Sequence, residues 1–142
     1  MNLFKIILIS ILNSFIVSLF FFSFYFPNIS FPPIGDLLMN FSFLFLIFSI
    51  AIGTITAFYL DELSEAFIAI LITMFISYGI SLVYYSFPIF YGLYPFDITY
   101  YFFIYIKFTF LPFFAVFFGL IIGLIPGGFL ADLYYARSRK IY

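Results

Sequence analysis

Asp61, Glu62 and Glu65 form the one acidic cluster in a chain that has six carboxylates, five basic side chains, no cysteine and no histidine. Glu62 and Glu65 stand three apart, a spacing that puts both on one helical face, where a hard cation or a proton can be held. A plainer role is available to the same residues. Asp61 at the start of a helix would cap it, and carboxylates in the first turn suit the positive end of the helix dipole. Lys107 is the other residue with chemical potential, since it interrupts an uncharged run from Ile98 to Ala131. At a bilayer centre a lysine costs at least about 2.5–3.5 kcal/mol and calls for a carboxylate partner or a function. Near a headgroup layer it snorkels, with Asp97 or Asp36 as candidate partners.

What is missing narrows the chemistry. Without Cys or His there are no disulfides, no thiol nucleophiles, no imidazole bases and none of the usual zinc, copper or haem ligands. Serines are plentiful, but none has an activating base nearby in the sequence, so hydrolytic catalysis has no visible apparatus. Gly127 and Gly128 lack the surrounding pattern of a phosphate-binding loop. No basic stripe suggests nucleic acid as a partner. No catalytic residue, metal site or cofactor is therefore expected.

The residues must be carried by a frame whose solvent is lipid. Hydrophobic residues make up 67% of the chain and charged ones 8%, whereas soluble domains are about half apolar and roughly a quarter charged. Continuous apolar runs exclude the alternating pattern of a membrane β-barrel. The expected fold class is all-α: a polytopic integral membrane protein built as a four-transmembrane-helix bundle, in a single domain over 1–142. The spans fall at about 3–26, 37–60, 66–87 and 111–131, since about 20 apolar residues cross a bilayer. Pro27, Pro32, Pro33 and Gly35 mark the first loop, Asp61 to Glu65 the second, and Pro88 the end of the third span. Pro112 fits the first turn of the last span. The stretch from Asp97 to Lys107, with Tyr100, Tyr101 and Tyr105, is then either an interfacial helix or an extension of the last one. Lys5, Arg137, Arg139 and Lys140, four of the five basic residues, share one side in this arrangement. The positive-inside bias makes that side the cytoplasm, with both termini in it and the protein in the cell membrane.

Small residues recur every fourth position along each span. The last has Ala115, Gly119, Gly123, Gly127 and Ala131; the second has Ser49, Gly53 and Ala57. The third has Ala69, Thr73, Ser77 and Ser81, and the first has Ser10, Ser14 and Ser18. Such stripes let helix backbones approach closely in a solvent that offers no hydrophobic drive between helices. They read as packing within the bundle, or else as a face for a partner subunit or a second copy. Phe129–Asp132 echoes Phe58–Asp61, so the halves read alike, as parallel repeats do. Pro126-Gly127-Gly128 marks a kink, an early helix end or an unwound stretch. Asn28-Ile29-Ser30 and Asn40-Phe41-Ser42 match the glycosylation acceptor pattern, and only Asn28 falls in an outer loop.

Two functions fit. The first is a non-catalytic membrane subunit that packs with, anchors or stabilises a larger complex. The alternative is a small transporter or channel component moving ions or small solutes, lined by Ser10, Asn13, Ser14, Thr73, Ser77 and the Pro126–Gly128 break. Intramembrane ionisable residues usually mark such paths, and their scarcity favours the subunit.

Overall fold

Backbone groups with no water to bond must satisfy one another, and an uninterrupted helix does so within each segment. The computed structural model describes residues 3–25, 38–60, 62–90 and 97–139. Among these, four helices account for nearly everything and there is no strand. They are α1 (Leu3–Tyr25), α2 (Leu38–Leu60), α3 (Leu63–Phe90) and α4 (Ile98–Arg139). The expected loops around Pro32 and Tyr91, with Asn28, Asp36 and Asp61, lie outside the described residues.

Among the described residues, two helices are long and apolar enough to cross a membrane, over Leu63–Phe87 and Pro112–Tyr135. The apolar stretches Leu3–Leu19 and Phe45–Leu60 of α1 and α2 are shorter.

The last helix takes one of the two forms that the sequence leaves open. It runs unbroken for 42 residues and contains both Pro112 and Pro126, so the Asp97–Lys107 stretch is an extension and not a separate helix. Nor does the helix end early at Pro126-Gly127-Gly128. A proline inside a helix removes one bond and costs about 3 kcal/mol. Packing on both flanks offsets that cost: Thr109, Pro112 and Val116 are buried on one side, Gly123, Leu124 and Gly127 on the other.

Helix directions follow from the contacts. Ser10 meets Ala69 and Ser14 meets Thr73, so α1 and α3 run parallel, offset by 59 residues. Gly119 meets Ser49, Gly123 meets Gly53 and Gly127 meets Ala57, so α2 and α4 are parallel as well. Tyr78 with Thr109 and Ser81 with Tyr105 make α3 and α4 antiparallel. Lys5, Glu62, Glu65 and Asp132 therefore gather toward one end of the assembly. Asp97 lies toward the other.

Buried positions mix small hydroxyl residues with apolar ones, and many large apolar side chains are exposed. Ser10, Ser14, Ser49, Thr56, Thr73 and Ser77 are fully buried, while Phe75, Phe4 and Ile125 are 80%, 76% and 75% exposed. The apolar centre is modest: Ile6, Val17, Phe21, Ile70, Val116 and Leu120. Phe21 fills it between Tyr78 and Phe113, edge-on to the first at 6.5 Å and stacked on the second at 6.4 Å.

Candidate functional site

Side chains at every fourth position of a helix stack along one face, and the two glycine-bearing stripes face each other. A Cβ on Gly53 would overlap the Leu120 carbonyl oxygen; one on Gly123 would overlap that of Ile50, and one on Gly127 that of Thr54. At Gly119 it would lie 2.6 Å from the Ser49 Cβ and 2.9 Å from the Leu46 carbonyl oxygen. Hydrogen stands where any larger group would push two backbones apart. Ser49 turns its hydroxyl back onto the Phe45 carbonyl at 2.6 Å, leaving its β-carbon to meet Gly119. Ala57 meets Gly127 through its β-carbon. Ala115 sits half-buried one turn before Gly119.

The α1·α3 seam is built differently. Ser10 Oγ lies 2.7 Å from its own-helix acceptor, Ile6 O, and 3.2 Å from Ala69 O; Ser14 Oγ lies 2.6 Å from Ser10 O and 3.2 Å from Thr73 O. A hydroxyl has one proton. The shorter bond within the helix takes the larger share of it, and the cross-helix contact is the weaker limb of a three-centre bond. Thr73 returns a contact to Ser10 O at 3.4 Å. Asn13 does not join this group. It donates to Thr56 Oγ1 at 2.8 Å, and Thr56 donates to Ile52 O at 2.7 Å, tying α1 to α2. The residues that would line a solute path thus divide among three interfaces. Ser10, Ser14, Thr73 and Ser77 belong to α1·α3 or α3 itself, Asn13 to α1·α2, and Gly127 to α2·α4.

A third hydroxyl group joins α3 to α4 and was not singled out from the sequence. Tyr105, expected at the membrane interface, is fully buried. Its phenol makes a short hydrogen bond with Ser81, which donates to Tyr78 O at 2.9 Å. Tyr78 Oη stands 3.5 Å from Thr109 Oγ1, and Thr109 donates to Tyr105 O at 2.7 Å. The rings of Tyr78 and Tyr85 flank that of Tyr105 at 5.2 and 5.1 Å. The signal was present as Tyr78 and Tyr85 seven apart, on one face of α3.

In the acidic turn Ala66 N–H donates to Glu62 O at 3.0 Å, the first bond of α3, while Asp61, the expected cap, lies outside the described residues. Glu62 N–H donates to Leu60 O at 2.6 Å. Glu62 is exposed and Glu65 is 6% exposed, so the two do not offer a shared face to solvent. Among the described residues, no three carboxylates gather as a metal site would require. Glu65 lies in the first turn of α3, where its charge suits the helix dipole. The α1·α3 register carries Glu65 beside Ile6 and Lys5. Lys107 is exposed on α4. Asp97 is occupied as the cap of α4, accepting from Thr99 N–H at 3.1 Å, and stands ten residues, about 15 Å, from Lys107 along the helix.

What the fold defines is an all-helical assembly with two helices capable of crossing a membrane, held by small-residue seams. Compared with protein-family models, curated proteins and solved structures, the chain matches none.

Proposed function

We propose that this chain is an integral membrane protein with four spans and both termini in the cytoplasm. Its work on this reading is non-catalytic: it packs with, anchors or stabilises a larger membrane complex. One observation carries the proposal. The inner faces are small and hydroxyl-bearing, with every buried side-chain polar atom among the described residues bonded, while the outer faces are large and apolar. Soluble monomers leave only a few hundred Å² of contiguous apolar surface uncovered, and here large apolar side chains such as Phe4, Phe75 and Ile125 are exposed on three different helices. Only 39% and 33% of the two long apolar windows are buried within the chain, which favours lipid over a soluble core. Hydroxyls committed to helix carbonyls glue helices together, and that use of them among the described residues supports the subunit reading.

Topology is tested by cysteine labelling, which is clean because the chain has no Cys. A cysteine at Ser138 is expected to react with an impermeant reagent only after the membrane is opened. Reaction from outside would overturn the orientation. Function is tested with purified protein in liposomes. Saturable flux of protons, cations or small solutes, abolished by Asp61→Asn, Glu62→Gln and Glu65→Gln together in a folded protein, would replace the subunit reading with a transporter.

A further inference from the structure

Among the described side chains the exposed tyrosines are Tyr59, Tyr84, Tyr100, Tyr134 and Tyr135, and they fall at two levels of the assembly. Gly127 against Ala57 puts Tyr59 level with Phe129, and a Cβ on Gly128 would meet the Leu63 side chain at 3.0 Å, so α3 starts at that level too. The Tyr134 ring reaches back to it, 5.8 Å from that of Phe58. At the other end, Tyr78 with Thr109 and Ser81 with Tyr105 put Tyr84 level with Phe102 and Phe103. Tyr100 stands about 4 Å further out. The two levels are about 32 Å apart along α3, from Leu63 to Tyr84, and about 38 Å apart along α4, from Phe103 to Gly128. A bilayer has a hydrocarbon core about 30 Å thick, or about 40–45 Å with its headgroups.

What lies between the levels differs from what lies beyond them. Ser64 sits at the inner level itself. Deeper than that, every exposed residue among those described is apolar, a glycine or a proline, with Lys107 as the exception. Lys107 is about 6 Å inside the Tyr84 level, within the reach of a snorkelling side chain. The other charges of the described residues stand at the levels or outside them. Lys5, Glu62, Glu65, Asp132, Arg137 and Arg139 are at the inner end, and Asp97 is at the outer. Exposed rings in the band are all Phe, such as Phe48, Phe75 and Phe118. The tyrosines of intermediate depth, Tyr78 and Tyr105, direct their hydroxyls to Thr109 and Ser81 instead. A tyrosine on a lipid-facing surface gains most where its ring meets acyl chains and its hydroxyl meets headgroups or water.

We propose that Tyr59 and Tyr134 at one end, and Tyr84 and Tyr100 at the other, stand in the two headgroup layers and fix the depth at which the chain sits. This seating rests on the membrane reading above, and one experiment separates the two. The chain has no Trp, so a single Trp placed in the full chain is its sole indole. Tyr59→Trp, Tyr134→Trp, Tyr84→Trp and Tyr100→Trp report the two levels. Phe75→Trp and Phe118→Trp report the band, at least about 13 Å from either level. Each protein is reconstituted in phosphatidylcholine vesicles whose acyl chains carry bromine, which quenches nearby indole emission, either close to the headgroup or close to the chain end. The four proteins altered at tyrosines are expected to lose more emission to the shallow bromine, and the other two to the deep one. All six positions are exposed, and two at each level keep a reading there even where one variant fails to fold. Quenching by neither lipid at every position would overturn the membrane reading and the seating with it. Stronger deep quenching throughout either level, or stronger shallow quenching at Phe75 and Phe118, would overturn the seating and leave the membrane reading intact.

Discussion

The α1·α3 and α2·α4 seams are both parallel, both striped with small residues every fourth position, and yet held by different means. Along α2·α4, glycine hydrogens meet backbone carbonyls, so the seam depends on volume alone. Along α1·α3, serine and threonine hydroxyls occupy the same kind of position and make long cross-helix contacts of 3.2–3.4 Å. The two serine hydroxyls are already bonded at 2.6–2.7 Å within α1, and Thr73 adds its contact from α3. The lesson is that a hydroxyl in a helix seam acts chiefly as a small, self-satisfied filler. The glycine seam has no slack, and the serine seam has some.

The largest effect is therefore expected on the glycine side. Gly123→Leu should separate α2 from α4 and abolish a cooperative melt in detergent. Even Gly123→Ala should lose about 1–3 kcal/mol, the usual cost of overpacking. A β-carbon added at Gly79 would meet nothing within 4 Å, so Gly79→Ala should be neutral or gain up to about 1 kcal/mol of helix propensity. Equal melting of the Gly79→Ala and Gly123→Ala proteins would break the comparison.

An intermediate effect is expected where a hydroxyl is linked through a chain of partners. Tyr105→Phe removes a bond to Ser81 but leaves Ser81 donating to Tyr78 O. No buried donor is orphaned, so the loss should be about 1 kcal/mol, read as a small drop in melting temperature with the fold retained. A loss above about 3 kcal/mol would mean that α3·α4 and not α2·α4 holds the assembly together.

The smallest effect belongs to Ser14→Ala. Alanine keeps the volume, and cross-helix bonds of this kind average about 0.6 kcal/mol. A melting temperature close to that of the unaltered protein is expected, whereas Ser14→Leu should be severe. If Ser14→Ala proves as damaging as Gly123→Ala, hydrogen bonding and not volume governs the α1·α3 seam.

Helices and their small-residue stripes were legible in the sequence because both are local. A run without charges or strong turn signals has one way to satisfy its backbone in lipid, and a period of four is read along the chain without knowing any neighbour. The partner of each stripe was not legible. A face of small residues can seat against any other such face, so the pairing of Ser10 and Ser14 with Ala69 and Thr73, and of Gly123 with Gly53, is a choice among near-equal seams. Prolines left the last helix open for the same reason. Pro112 and Pro126 argue locally for helix boundaries, but the packing of Val116, Leu120 and Leu124 on both sides outweighs the lost bonds and keeps α4 continuous. Tyr105 carries an interfacial composition signal, and only the antiparallel docking of α4 on α3 buries it against Ser81. The sequence by itself determined a helical chain of small-striped, lipid-compatible segments, since composition and period are properties of single segments. Tertiary structure alone decided which stripes mate and how far the last helix extends. Those outcomes depend on shapes meeting across separations from 24 residues, at Ser81 and Tyr105, to 59, at Ser10 and Ala69.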